Sequence, residues 1–141
     1  MAAWPPVSQT YHSWYTSVVG SAPHESREPD LRMVFCRSGA GREPVREWLT
    51  DPERDERKAI GKDIKTAQYG WPLGMPLICK LDPGIWEIRS SLAAGIARVV
   101  FAVDGDTMVL LHAFLKKSRK TPVNDIETSR RRLARLLEEE R

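Results

Sequence analysis

From Leu77 to Leu115 the chain carries β-branched and apolar runs cut by turn chemistry, and this stretch limits the fold more than any other. Leu77–Leu81 runs past Asp82-Pro83-Gly84 into Ile85–Arg89, and Ile96–Val103 and Thr107–Leu115 follow. Asp104-Gly105 between two such runs is a strong hairpin signal. The stretch therefore reads as three strands of an antiparallel meander.

The flanking segments supply the other elements. Val34-Phe35-Cys36, directly after Met33, reads as a strand. Pro44 suits a first helical turn, and Val45, Trp48 and Leu49 give a short helix one apolar face. Asp51 reads as an N-cap with Pro52 at the first helical position, and Ile60, Ile64 and Ala67 form a stripe that ends before Gly70. Two prolines and a glycine forbid regular structure from Trp71 to Pro76. Thr121-Pro122 opens a last helix marked by Val123, Ile126, Leu133 and Leu137. The expected fold is α+β with the order β-α-α-β-β-β-α, an antiparallel sheet packed by two N-terminal helices and a C-terminal helix.

Residues 1–32 hold four of the ten prolines and scattered aromatics (Trp4, Tyr11, Trp14, Tyr15) without periodicity, so they read as an N-terminal extension or arm. The domain is expected at 33–141. That part carries 20 Lys+Arg against 16 Asp+Glu, a balance of +4 that favours a polyanionic partner. Cys36 and Cys79 show neither CxxC spacing nor a nearby ligand set, so both read as reduced core thiols, with no metal site and no cofactor implied. No run approaches a membrane span and no secretory signal is evident, which points to the cytoplasm.

Strand alternation places Glu87 and Arg89 on one sheet face and, in the next strand, Arg98 with Ile96, Val100 and Ala102. A loop at Ser90–Gly95 sets Arg89 opposite Ile96 and Glu87 opposite Arg98, so two guanidiniums flank one carboxylate. As an exposed ion pair, Glu87 to Arg98 would contribute a few tenths to about 1 kcal/mol. The third strand empties into Lys116-Lys117-Ser118-Arg119-Lys120, beside the strand carrying Arg98. Cations from three segments can then converge on a groove suited to a phosphate backbone. The face of His112 depends on the turn: a three-residue loop, Asp104–Asp106, sets it opposite Arg98, whereas a two-residue Asp104-Gly105 loop turns it away. The polar character of the Arg98 face favours the longer loop, with His112 at the groove rim.

Four segments, residues 41–49, 81–89, 97–101 and 110–122, resemble in order and spacing the phage-derived HigB-like branch of the RelE/ParE toxin superfamily. Trp-Glu-Ile-Arg (86–89) and Phe-Leu-Lys-Lys-Ser-Arg-Lys-Thr-Pro (114–122) are the specific pieces. The resemblance covers about residues 33–135. It implies the toxin of a type II toxin-antitoxin system, a ribosome-dependent endoribonuclease that cleaves messenger RNA and pairs with a helix-turn-helix antitoxin of HigA type. By position it assigns Arg89 and Arg98 to the scissile phosphate, and Lys116, Lys117 and Arg119 to the basic segment after the last strand, in which Arg119 and Lys120 are expected to bind RNA. Two departures stand out: Ala97 where many members have an aromatic residue, and Val123, Asn124 and Asp125 where several have an acid-base tyrosine.

Metal-free RNA cleavage by 2′-OH attack needs a stabilised phosphorane and two proton transfers. Arg89 and Arg98 suit the first task, while Lys116, Lys117 and His112 are candidates for the second, the lysines slightly ahead. Two other readings fit the same charges: a ParE-like toxin that binds gyrase, and a noncatalytic nucleic-acid-binding phage-derived protein.

Overall fold

The computed structural model describes residues 30–72, 77–116 and 122–139. Its elements are β1 (Arg32–Phe35), α1 (Pro44–Trp48), α2 (Arg54–Gly70), β2 (Ile78–Asp82), β3 (Ile85–Leu92), β4 (Gly95–Asp104), β5 (Thr107–Lys116) and α3 (Val123–Glu139). The α+β architecture is the expected one, with one strand more than the meander reading counted. Asp82-Pro83-Gly84 does not carry a strand through. Asp82 pairs with Ile85 across a tight turn in which Gly84 takes φ +78°, a conformation open to glycine at little cost, so the run splits into β2 and β3.

The five strands lie in the order β1-β5-β4-β3-β2. Neighbours from β2 to β5 are antiparallel hairpins, but β1 runs parallel to β5, with Met33 beside Met108. The reason is connectivity: α1 and α2 intervene between β1 and the meander, and a helical crossover can return the chain in its original direction. This departs from a wholly antiparallel sheet.

Each sheet face has its own cover. Met33, Phe35, Ile88, Val99, Phe101, Met108 and Leu110 pack against Val45 and Leu49 of α1 and Ile60, Ile64 and Ala67 of α2. This is the larger core. On the other face Val34, Cys36, Ala102, Val109 and Leu111 meet Leu133 and Leu136 of α3, and Ile85, Val100 and Phe114 also pack with Leu133. Polar ties supplement this smaller apolar contact: Arg130 of α3 grips the Asp82 carboxylate with two bonds of 2.9 and 2.8 Å.

Three local readings shift. Asp51 does not cap α2, because its N–H closes the end of α1 on Trp48 O; Glu53 is the cap, in a capping box with Glu56. In α3, Val123 and Leu137 are 69% and 45% exposed, whereas Ser129 and Leu136 are buried. Cys36 is buried, its thiol donating to Arg37 O, and Cys79 only partly so, its thiol donating to Lys80 O.

The N-terminal extension or arm expected at 1–32 falls mostly on residues 1–29, outside the described residues. Leu31 and Arg32 belong to the folded unit: Leu31 is buried, exchanges hydrogen bonds with the backbone carbonyl and side-chain amide of Gln68, and leads into β1. Among the described residues, no helix is long and apolar enough to cross a membrane.

Candidate functional site

The face covered by α3 carries the candidate side chains in three cross-strand rows. Arg89 of β3 pairs with Arg98 of β4, which pairs with Phe114 of β5. One row along, Glu87, Val100 and His112 are aligned; one row the other way lie Ser91, Ile96 and Lys116. Glu87, Arg89 and Arg98 share a face as expected, although the register differs by two residues. The strands extend to Leu92 and Gly95, so Arg89 rather than Glu87 is opposite Arg98.

Glu87 joins the two arginines. Its Oε1 accepts a 2.7 Å bond from Arg89 Nε and a 3.1 Å bond from Arg98 Nη1. The Glu87 and Arg98 side chains are wholly buried, while that of Arg89 is 24% exposed. This corrects the expectation that Arg98 lies on an exposed groove. β4 is flanked on both edges and α3 covers the face, and the carboxylate supplies the opposite charge that makes burial of a guanidinium tolerable. The Glu87–Arg98 contact is accordingly a buried pair, not the weak surface pair considered from sequence.

His112 shares the Arg98 face, but not through a three-residue loop. Asp104 pairs with Thr107 around a two-residue Gly105-Asp106 turn, with Gly105 at φ +62°. An irregularity between Val100 and Phe101 then sets two residues of β5, Leu111 and His112, against one step of β4. That bulge reverses the alternation and returns His112 to the Arg98 side.

The imidazole is held by α3. Its Nε2 lies 2.7 Å from Asp125 Oδ1, and its Nδ1 lies 3.3 Å from Nη1 of Arg132, which also donates to Leu111 O at 2.7 Å. A guanidinium can only donate and a carboxylate can only accept, so the neighbours select the neutral ring with the proton on Nε2. Burial pushes the imidazole below its ordinary pKa, Asp125 pulls upward, and Arg132 adds to the lowering. Both ring nitrogens are thus engaged within the fold, and the Phe114 ring stacks on the imidazole at 5.4 Å.

Lys116 ends β5 on the same face, partly buried, one row beyond Arg98 and Phe114. Lys117, Arg119 and Lys120 lie outside the described residues. Asp125 and Arg132 were not singled out by sequence reasoning as partners of His112. Their signal is the polar spacing Asp125, Ser129, Arg132 at i, i+4, i+7, which sets three polar residues along one side of α3. Among the described residues no group of three His, Cys, Asp or Glu could hold a metal ion. What the arrangement can do chemically is meet an anion at the Arg89 and Lys116 end of the sheet.

Residues 47–134 match the family model described as phage derived protein Gp49-like (DUF891). The match runs from the end of α1 through most of α3 and takes in every candidate residue. No curated protein matches the sequence.

Proposed function

The chain belongs to the Gp49-like family of phage-derived proteins, a RelE/HigB-like toxin family, and we propose that it is the endoribonuclease toxin of a type II toxin-antitoxin pair. Its substrate on this reading is messenger RNA on the ribosome, and its partner is a helix-turn-helix antitoxin of HigA type. The observation that carries the proposal is Arg89, held at Nε by buried Glu87 on the sheet face where Lys116 leads into the basic segment. A guanidinium gripped at Nε by a carboxylate is oriented, and an oriented guanidinium suits bidentate contact with a phosphate.

Work in the reaction divides by position. Arg89 binds the scissile phosphate and stabilises the negative phosphorane as the 2′-OH attacks phosphorus. Lys116 and Lys117 handle the proton leaving the 2′-OH and the one reaching the departing 5′-oxygen, while Arg119 and Lys120 hold flanking phosphates. Arg98 acts from below through the shared carboxylate. His112, with both nitrogens bound to α3 side chains, serves positioning better than proton transfer.

Induction of the chain in bacteria, with mapping of RNA termini and a parallel gyrase assay, tests the reading. Message fragments ending in 2′,3′-cyclic or 3′ phosphate, with gyrase unaffected, are expected. Intact message with inhibited gyrase would replace it with the ParE-like alternative. Intact message, active gyrase and normal growth would leave a noncatalytic nucleic-acid-binding protein.

A further inference from the structure

Among the described residues, Leu133 and Leu136 of α3 pack in the apolar clusters on the sheet, and polar ties add to them. Arg130 binds Asp82 of β2, Arg132 binds Leu111 O of β5, and His112 stands between Asp125 and Arg132. Of these groups only the imidazole has an unperturbed pKa between 5 and 8.

We propose that His112 is an acid-sensitive latch: proton uptake at Nδ1 replaces the acceptor facing Arg132 with a competing cation, and α3 loosens from the face that holds Glu87 and Arg98.

The charged groups around the ring make the direction plain. From α3, Asp125 faces Nε2 and Arg132 faces Nδ1, with Arg131 adding positive charge beside Arg132. From β4, Arg98 lies one row along on the same face; from β3, Glu87 lies in the same row beyond Val100. Cys36, the residue after β1, lies close enough to Arg132 to favour its charged form. On β5 itself the near neighbours Leu111 and Phe114 are apolar. Protonation leaves Nε2 as a donor, so the Asp125 bond survives. What is lost is the Arg132 bond, since two N–H groups and two positive charges then meet at 3.3 Å. Burial and Arg132 already hold the ring below its ordinary pKa, so the transition falls on the acid side. This inference does not depend on RNA cleavage.

The test uses the full chain, with ¹⁵N-labelled histidine followed by NMR and backbone amide exchange followed by mass spectrometry. At pH 7.5 a single Nε2–H tautomer is expected for His112, with a titration midpoint below 6.5. As pH falls through that midpoint, amides of α3 should lose several-fold protection, corrected for intrinsic exchange, while those of β3 and β4 hold. His112→Gln can donate to Asp125 and accept from Arg132 without titrating, so it should remove the pH dependence. A midpoint at or above the ordinary value, an Nδ1–H tautomer, or the same pH dependence in the Gln variant would overturn the latch. Should that variant not fold, Arg132→Gln decides: it should raise the His112 midpoint, and an unmoved midpoint refutes the proposal.

Discussion

Arg98→Ala should unfold this domain or come close to it. The guanidinium is wholly buried and bonds Glu87 at 3.1 Å. Removing one member of a buried ion pair costs about 3–5 kcal/mol, because the other charge loses its compensation. Deleting a large buried side chain leaves a cavity worth about 2–5 kcal/mol more. Arg89 keeps its 2.7 Å bond to the same oxygen, so the low end of both ranges applies. The expected loss is about 5 kcal/mol, as large as the whole stability of a marginal domain. Urea unfolding at neutral pH measures it. Arg98→Met retains bulk and should lose less, and Glu87→Gln combined with Arg98→Met should recover part of that loss, because no buried charge is left alone. An Arg98→Ala chain within about 1 kcal/mol of the parent would refute the reasoning and return Arg98 to an exposed, substrate-facing role.

Arg89→Gln should abolish growth inhibition while costing only about 1.5–3 kcal/mol in urea, the value of one charge-assisted hydrogen bond, since Arg98 still neutralises Glu87. Lys116→Ala should slow message cleavage about 10²–10⁴-fold, measured by primer extension, with an unchanged unfolding midpoint. A chain starting at Asp30 should match the parent in thermal unfolding, whereas one starting at Met33 loses buried Leu31, worth about 1.5–3 kcal/mol, together with its Gln68 bonds. Because the folded His112 pKa lies below the unfolded value of 6.5, its contribution to stability is complete above that pH and declines as pH falls; unfolding curves from pH 7.5 to 5 should show the decline, and His112→Gln should flatten it.

The fold was legible where a residue type does one local thing. Pro44 opening α1 and the Ile60, Ile64, Ala67 stripe of α2 act through the backbone or through one helix face, and both are where the pattern sets them. Asp82-Pro83-Gly84 misled because the runs on either side are equally strand-like, and periodicity says nothing about whether a strand continues or reverses. The direction of β1 is a tertiary property: Met33 lies beside Met108, 75 positions away by sequence number, and no local signal reports which neighbour a strand will choose. In α3 the apolar residues Val123 and Leu137 are exposed while Ser129 is buried with its hydroxyl on Asp125 O, because Asp125, Arg130 and Arg132 on the same helix are tied to the sheet and help set the face, as hydropathy does.

For the site, alternation is a parity argument, and parity survives some errors but not others. Moving the β3–β4 register by two residues leaves Glu87, Arg89 and Arg98 on one face, which is why the carboxylate between two guanidiniums could be read from sequence. His112 depends on an odd-and-even sum of turn length and bulges, and sequence offers the turn but conceals the bulge at Leu111. A two-residue turn without that bulge would put the ring on the other face, away from Asp125 and Arg132. Burial is a separate quantity again. Arg89 and Arg98 have the same side chain, face and carboxylate, yet one is partly exposed and the other is not: Arg98 is paired on both sides, with Arg89 and Phe114, whereas Arg89 lies one residue past Ile88, where the pairing with β2 ends. Where a neighbouring strand's pairing stops, not residue type, therefore decides which arginine keeps exposed surface.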